Sequence, residues 1–427
     1  MRIFIAPLNW GLGHASRCVP LVQRLLDEGH EVVIGGDGES LTLLRRHFPT
    51  LRFVYLAPLQ LTYSSGKRQV LAMLRAMPKL IAWAYKDHCL LKALLKEEHF
   101  DRVISDNRFG LYNKTTECVY ITHQLHIMLP KGWRWAEPIA SRMHAHIYTR
   151  YNKVWVPDYE ESKLSLAGEI SHPQDLRLDD LRCTIEYIGP LSRFQSSKHQ
   201  NFESSSPRIF NKKYDVVAVL SGLEPQRTML EKDILARFHG TEKQVLIVEG
   251  LIHRPNTRIQ RANITIVPHL SDDELAAALN GAAHIIARSG YSTIMDLNAL
   301  GILQSSITND QSPIIEFIPT PGQPEQEYLA SWREKCMFKY KKCQNIWSSQ
   351  KKAVPLHAFS AEGTLVSALS GGADTVFSPI SGDISGCHRI TVSTQDFHSC
   401  NSGSIPLGTT RPSLKSSPEA NPLNAKG

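Results

Sequence analysis

The 427-residue sequence has no apolar run that approaches the roughly eighteen residues of a membrane-spanning helix. Its first residues, MRIFIAPLNWG, contain one arginine and too short an apolar stretch for a signal peptide. We therefore expect a cytoplasmic protein that is at most peripherally attached to the inner face of a membrane.

The sequence also lacks a metal-binding cysteine pattern. Its eight cysteines are scattered, with no C-x-x-C pair and no Cys/His spacing typical of zinc. Free or buried thiols are favoured over disulfides, and we expect no metal and no cofactor.

Charge and composition are close to those of an average globular protein. The 48 Lys and Arg residues against 41 Asp and Glu give a net charge of +7, and 42% of the residues are hydrophobic. This composition excludes collagen, a coiled-coil rod and wholesale disorder. The basic excess is compatible with an anionic small ligand or an anionic membrane surface, but it is too small to indicate nucleic acid.

Short β-branched runs alternate with longer helical patterns, which predicts an α/β fold built from parallel βαβ units. A serine-rich segment at 191–213 separates two such stretches, and from 336 onward Ser, Gly, Pro and Thr dominate. We therefore predict two Rossmann-like domains, 1–190 and 214–335, that face each other across a cleft. The linker is 191–213, and 336–427 is predicted to be a poorly structured tail.

The first candidate site follows the first predicted strand, in the segment NWGLGHASR. Gly11 and Gly13 let the backbone approach a ligand closely, and the helix start presents free N–H groups to an anion. His14 lies at this strand-to-helix turn, where an imidazole can accept a proton from a bound hydroxyl near neutral pH. Helix capping is the alternative role for His14. NAD binding is disfavoured, because Ser16 stands where a dinucleotide fingerprint needs glycine.

Two further polar clusters follow later strands of the same half. They contain Asp106 and Arg108, in SDNR, and His123, in THQ. The carboxyl ends of parallel strands meet at one edge of a sheet, so these side chains are predicted to lie near His14. Asp106 would orient His14 or bind acceptor hydroxyls, with ordinary turn chemistry as the alternative. Arg108 and His123 are predicted acceptor-binding residues.

The second half repeats the strand, glycine turn and helix start. Ser221, Gly222 and Arg227 supply amides, a hydroxyl and a cation suited to a diphosphate. Farther along, Glu325 and Gln326 follow a proline-rich loop. An acid and an amide at a helix start suit the hydroxyls of a sugar.

A third loop of this half has the sequence ARSGYSTIMD. The amides of Ser289 and Gly290 and the hydroxyl of Thr293 can hold phosphate. Asp296 lies one turn into the helix, where a carboxylate can accept hydrogen bonds from a ribose diol.

With these residues the sequence resembles nucleotide-sugar glycosyltransferases of the GT-B fold over about 1–332, in particular the MurG-type N-acetylglucosaminyltransferase group, which is family 28-like. Gly11-Leu-Gly13-His14 is similar to the family's Gly-Gly-His loop. Ser289-Gly290-Tyr-Ser-Thr293-Ile-Met-Asp296 is similar to its donor signature, with Asp where Glu is commoner. Glu325-Gln326 resembles its acid-amide pair for the donor sugar.

The resemblance implies a metal-independent, inverting hexosyltransferase with a nucleotide diphosphate-sugar as substrate, UDP-N-acetylglucosamine being one candidate. The C-terminal half would bind this donor. The N-terminal half would bind an acceptor of the lipid-linked or cell-envelope glycan class. His14 would act as base or stabilise charge near the phosphate. A nucleotide-sugar epimerase and a catalytically impaired nucleotide-sugar-binding protein are the alternatives.

Three segments bear on these alternatives. Residues 304–313 are interpreted as an insertion, and the serine-rich end is expected to replace the helix that crosses back to the first domain in this fold. The segment 66–98 mixes seven basic residues with interleaved apolar ones. It would lie on anionic lipid or, as we favour, form a solvated helix whose apolar face packs on the sheet.

Overall fold

The computed structural model describes residues 1–59, 69–174, 183–195, 214–222, 224–304 and 313–336, without the side chains of 69–74. Most of the predicted linker, nearly all of the predicted tail and most of the predicted insertion at 304–313 lie outside these residues.

The first sheet has seven parallel strands in the order β3-β2-β1-β4-β5-β6-β7. The strands are β1 (Arg2–Pro7), β2 (Glu31–Gly36), β3 (Arg52–Tyr55), β4 (Arg102–Asp106), β5 (Glu117–Ile121), β6 (Lys153–Val156) and β7 (Thr184–Tyr187). The helices of this domain are α1 (Gly13–Asp27), α2 (Gly38–His47), α3 (Gln69–Glu97) and α4 (Glu137–Tyr148). The order matches that of a Rossmann sheet with one strand added.

The second sheet has the order β10-β11-β9-β8-β12-β13. Its strands are β8 (Val216–Val219), β9 (Val245–Val248), β10 (Ile259–Arg261), β11 (Ile264–Val267), β12 (His284–Ala287) and β13 (Ile314–Phe317). Only the edge strand β10 pairs antiparallel with its neighbour among the described strands. The helices are α5 (Gln226–Phe238), α6 (Asp272–Gly281), α7 (Tyr291–Ala299) and α8, described over 324–336.

The predicted α/β fold with two Rossmann-like domains is confirmed. Two edge strands, β7 and β10, are not among the strands that the sequence pattern indicates. Every residue of β10 is exposed, and β7 contains no buried residue. Neither strand contributes a buried apolar run to its sheet.

Strand β1 explains why the first sheet is covered on both faces. Ile3 and Ile5 belong to the core beneath α1, whereas Phe4 and Ala6 belong to the core beneath α3. Successive side chains of a strand point to opposite faces, so a continuous apolar run requires helices on both sides.

Helix α3 packs on the sheet through one face, in agreement with the interpretation favoured from the sequence. Trp83, Asp87 and Leu91 are buried at successive four-residue spacings, whereas Ile81 and Tyr85 are exposed. No helix in the described ranges is both long enough and apolar enough to cross a bilayer.

Helix α8 contacts the predicted first domain at residues 168 and 169, whereas the serine-rich end that is expected to replace the crossing helix lies outside the described residues. The backbone N–H of Glu169 donates to the Tyr328 hydroxyl at 2.9 Å. Gly168 has a positive φ of 58°, and a Cβ there would lie 2.7 Å from the Trp332 ring. The close approach of the two segments therefore requires glycine at this position.

Arg108 is a core residue, and the acceptor-binding role predicted for it is wrong. Its side chain has no exposed surface, and its guanidinium donates to Asp87 at 2.9 Å, to Asp37 at 2.8 Å and to the Ala57 carbonyl at 2.9 Å. The guanidinium carbon also lies 4.9 Å from the centre of the Trp83 ring. Arg108 thus joins β2, β3 and α3 and is not free to bind a ligand.

We expect Arg108→Met to lower the free energy of unfolding by about 3–5 kcal/mol, because two buried carboxylates lose their cation. Chemical denaturation measures this change. Arg237→Met is the matched control, since Arg237 pairs with Glu316 while 49% of its side chain is exposed. The control should change stability by less than about 1 kcal/mol. Equal losses in the two variants would contradict the structural role of Arg108.

Candidate active site

The site lies where each sheet reverses its strand order. In the first sheet this point lies between β1 and β4, and in the second between β8 and β12. Ligands of open parallel sheets bind outside the carboxyl ends of the strands at such points. The loops that follow β1, β8 and β12 all line one cavity of about 1240 Å³, whose walls come from both domains. This is the predicted GT-B arrangement.

His14, Arg17 and Asp106 form a buried cluster on the first-domain wall. His14 is the second residue of α1, and its Nδ1 lies 3.0 Å from Oδ1 of Asp106, the last residue of β4. Arg17 follows one turn later on α1, and its Nε donates to Asp106 Oδ2 at 2.7 Å. Asp106 is completely buried, whereas 15% of the His14 side chain is exposed. The structure thus brings together two residues predicted to be neighbours.

The charges of this cluster favour a neutral imidazole beside an ionised carboxylate. Burial opposes ionisation of Asp106, but the Arg17 charge, the charge that His14 carries at low pH and the hydrogen bonds of both groups hold the pKa of Asp106 well below its usual range. Burial lowers the pKa of His14; Asp106 opposes this shift, and the Arg17 charge adds to it. The net direction is a pKa below the ordinary value of 6.5. At neutral pH His14 is therefore an unprotonated base.

His123 and Glu325 meet across the cavity, one from each domain. His123 Nε2 lies 2.8 Å from Glu325 Oε1, and the imidazole stacks on the Tyr291 ring at 4.2 Å between centroids. Burial opposes ionisation of Glu325. The hydrogen bond and the charge of His123 outweigh this effect and lower the pKa of Glu325, and the positive charges of His14 and Arg17 lower it further. Two residues predicted for different substrates are thus each other's partners in this structure.

The first loop contacts the second domain directly. Ser292 Oγ donates to the Gly13 carbonyl at 2.9 Å, and a Cβ on Gly13 would lie 2.7 Å from Ser292 Oγ. Gly11 adopts a positive φ of 79°, which favours glycine. The two glycines therefore serve the domain contact and the turn, in addition to any approach to a ligand.

The loop after β8 brings Ser221, Gly222 and Arg227 to the cavity wall. Gly222 has a φ of 101°, and a Cβ there would meet no atom within 4 Å, so its backbone is open to a ligand. Arg227 Nε donates to Glu224 Oε1 at 2.8 Å. The cation predicted to bind diphosphate is therefore paired with a neighbouring acid.

The loop after β12 contains three residues that were predicted to bind diphosphate. Two of them line the cavity, and the third is buried. Gly290 and Thr293 line the cavity at the start of α7. Ser289 is completely buried, and its hydroxyl donates to the Gln326 carbonyl at 2.7 Å. The Gln326 side chain accepts from the Thr320 N–H at 2.8 Å. Ser289 therefore fixes the loop that carries Gln326.

Asp296 lines the cavity, but its carboxylate already has partners. The Ser192 hydroxyl donates to Oδ1 at 2.6 Å, and Arg193 Nε lies 3.4 Å from Oδ2. Burial raises the pKa of Asp296, whereas Arg193 and Ser192 oppose the shift. A ribose diol would have to share this carboxylate with Ser192 and Arg193.

Sequence reasoning missed Arg17, Arg193 and Tyr291 as site residues. The position of Arg17, three residues after His14 on a helix, was a usable signal, since such residues share a face. Tyr291 lies within the loop ARSGYSTIMD, but its contact with His123 joins residues distant in sequence, and the same is true of the contacts of Arg193, so the local pattern did not reveal either role. In the described part of the chain, no three His, Cys, Asp or Glu side chains gather where they could hold a metal ion.

No protein-family model matches this sequence. An uncharacterized glycosyltransferase of Methanosarcina acetivorans is 23% identical over 351 residues, which cover 78% of this chain and 83% of that protein. An uncharacterized glycosyltransferase of Methanosarcina mazei is 22% identical over 344 residues, with 78% and 83% covered. The chain is similar to these two glycosyltransferases. Neither match singles out the MurG-type group, which stays a prediction.

Among solved structures, the glycotransferase of kitacinnamycin aligns with 83% of this chain and 99% of its own. The sequence identity is 12% and the TM-score is 0.46.

Proposed function

We propose that this protein is a metal-independent, inverting glycosyltransferase that moves a hexose from a nucleotide diphosphate-sugar to an acceptor hydroxyl. The observation that carries the proposal is the pair of His14 and Asp106 on one wall of a cavity whose opposite wall is built from helix starts. A neutral base and a site for a departing anion are the two requirements of this reaction. The similarity to two glycosyltransferases supports the same reaction class.

In the proposed reaction, His14 removes the proton of the acceptor hydroxyl as that oxygen attacks the anomeric carbon. The bond from the anomeric carbon to the phosphate oxygen breaks, and the nucleoside diphosphate leaves with the electron pair. A single displacement of this kind inverts the anomeric centre. Asp106 stabilises the imidazolium that forms, as a buried carboxylate beside an imidazole does.

The donor is assigned to the second domain. The backbone at Gly222 and Gly290 and the hydroxyls of Ser221 and Thr293 would hold the diphosphate, because helix N-termini favour negative charge without a metal. Asp296 would bind the ribose.

The sugar of the donor would lie between the domains. Glu325 and Gln326 would bind its hydroxyls, with Ser289 fixing their loop. UDP-N-acetylglucosamine is the first donor to test.

The acceptor is proposed to be a lipid-linked or cell-envelope glycan, taken from an anionic membrane surface. Ile127, Met128 and Leu129 give the first-domain wall of the cavity an apolar stretch. The chain that follows leads to an exposed face, which we call the tryptophan face: Trp133, Trp135, Ile139 and Met143, respectively 43%, 70%, 53% and 58% exposed. The exposed cations Lys131, Arg134 and Arg142 lie on the same segment. Tryptophans with interspersed cations suit the interface of an anionic bilayer.

The donor assignment is tested by calorimetric titration with uridine, thymidine, guanosine and adenosine diphosphates. We expect one of them to bind and Thr293→Val to weaken it about tenfold, the effect of one hydrogen bond to a charged group. Thr241→Val, on an exposed turn after α5, is the matched control and should bind normally. If the dissociation constants of all four are in the millimolar range or higher, the assignment of the donor site is wrong. An epimerised sugar formed from the donor alone, without acceptor, would indicate the epimerase instead.

The catalytic assignment is tested with His14→Gln and Asp106→Asn. We expect the rate of UDP release from UDP-sugar, with extracted envelope lipids as acceptors, to fall by about 10²–10⁴-fold in His14→Gln. The affinity for the nucleoside diphosphate should stay within about threefold, since His14 acts on the acceptor side. His146→Gln, an exposed position on α4, is the control. Release at background in both the unchanged protein and His14→Gln would indicate the nucleotide-sugar-binding protein, whereas release above background that is unchanged in His14→Gln would contradict the role of His14 as base.

The membrane assignment is tested by sedimentation with phosphatidylglycerol-containing vesicles. Replacing Trp133 and Trp135 together by serine should reduce binding about tenfold, because less apolar surface is buried at the interface. Met229→Ser, an exposed apolar position in the second domain, should bind like the unchanged protein. Equal binding of both variants would exclude the tryptophan face as the docking surface.

A further inference from the structure

Arg17 is an almost completely buried charged partner of the proposed base. Only 2% of its side chain is exposed, and its guanidinium contacts both oxygens of the Asp106 carboxylate. A two-point contact between a buried arginine and a buried carboxylate fixes both groups in position. Arg17 also approaches the ring of His123, with Nη1 3.5 Å from its Nδ1. Arg17 therefore contacts both Asp106 and His123 and links the polar side chains on this wall of the cavity.

His14 Nδ1 has two neighbours that require opposite tautomers. It lies 3.0 Å from Asp106 Oδ1 and 2.9 Å from Arg17 Nη2. A carboxylate accepts a proton from Nδ1–H, whereas a guanidinium, which has no acceptor, donates to a bare Nδ1. Only the first tautomer leaves Nε2 without a proton. Within the described residues, no hydrogen bond leads to Nε2, so this nitrogen is available to the cavity.

The protonation of Asp106 decides between these tautomers. An ionised carboxylate accepts several hydrogen bonds at once, so Asp106 can bind Arg17 and the Nδ1–H of His14 together. A protonated Asp106 would instead donate to Nδ1 and move the ring proton to Nε2, which ends the base function. A completely buried carboxylate without a cation is driven toward this neutral form.

We propose that Arg17 is a positioning residue: by holding Asp106 in its ionised form, it keeps the ring proton of His14 on Nδ1 and leaves Nε2 free to accept a proton from the cavity. This role deepens the proposed transferase function and rests on it. It is nonetheless a property of the unliganded protein, so it can be measured without donor or acceptor.

The titratable groups around His14 and Asp106 come from four elements. Arg17 and Cys18 belong to α1, Asp106 to β4, His123 to the loop after β5 and Glu325 to α8. Among them Arg17 adds positive charge beside the ring and lowers its pKa, whereas Asp106 raises it. Removing the cation at 17 makes it easier for the pair of His14 and Asp106 to take up a proton, so Nε2 should become protonated at a higher pH. A purely steric role of Arg17 would leave the titration where it is.

The test is ¹⁵N NMR of imidazole-labelled protein, with the His14 signal assigned from its loss in His14→Gln. In the unchanged protein at pH 7 we expect Nδ1 protonated and Nε2 unprotonated. In Arg17→Gln, which keeps an N–H donor for Asp106 but no charge, we expect Nε2 to carry a proton at pH 7. The pH at which Nε2 takes up its proton should rise by about one unit, the usual effect of one nearby charge. Arg17→Lys, which keeps the charge, should restore the unprotonated Nε2.

Arg24→Gln, at an exposed position two turns farther along α1, is the matched control and should titrate like the unchanged protein. An unprotonated Nε2 at pH 7 in Arg17→Gln would overturn the proposal, whether or not the midpoint shifts. A proton on Nε2 in the unchanged protein at pH 7 would also overturn it, even if Arg17→Gln failed to fold. Nucleoside diphosphate titration of the same samples separates this outcome from a failure of the donor assignment.

Discussion

The site depends on the burial of one carboxylate. Asp106 ends β4 with no exposed surface, and a charge in that position survives only with close partners. Arg17 and His14 supply these partners from the first two turns of α1. The strand end and the helix start are thus held together by charge, and the imidazole is fixed at the cavity wall as a consequence.

A second charged residue, Arg108, follows the same strand but lies in a different environment. Asp106 and Arg108 are two positions apart, and both were predicted to reach the cleft. Between them Asn107 adopts a positive φ of 57°, an uncommon conformation that asparagine tolerates better than most residues. The chain reverses there, so that Asp106 faces α1 and Arg108 turns into the core beneath α3. A sequence pattern places both residues at the sheet edge, but it does not contain the backbone conformation that separates them.

The difference between local and long-range information explains the rest of what could be predicted. The strand, glycine turn and helix start are local patterns, and they correctly located the loops that line the cavity. The contacts that close the cavity join residues far apart in the chain, as with His123 and Glu325 or Gly13 and Ser292. Each of these partners looks like an ordinary loop residue by itself. Only the packing of the two domains gives it a partner.

Asp296 shows how a long-range contact can change the role that a sequence motif predicts for a residue. In the sequence it is a free acid at the expected place for a ribose. In the structure it belongs to a chain of charges that runs through Arg193 to Asp272, and from Asp272 to His47 of the first domain at 2.9 Å. The aspartate side chain is one carbon shorter than the glutamate more common in the resembled family. Because it is short, the carboxylate stays close to α7, where Ser192 binds it at 2.6 Å. The substitution therefore fits a site in which the acid that would bind ribose also holds the segment leading out of the first domain.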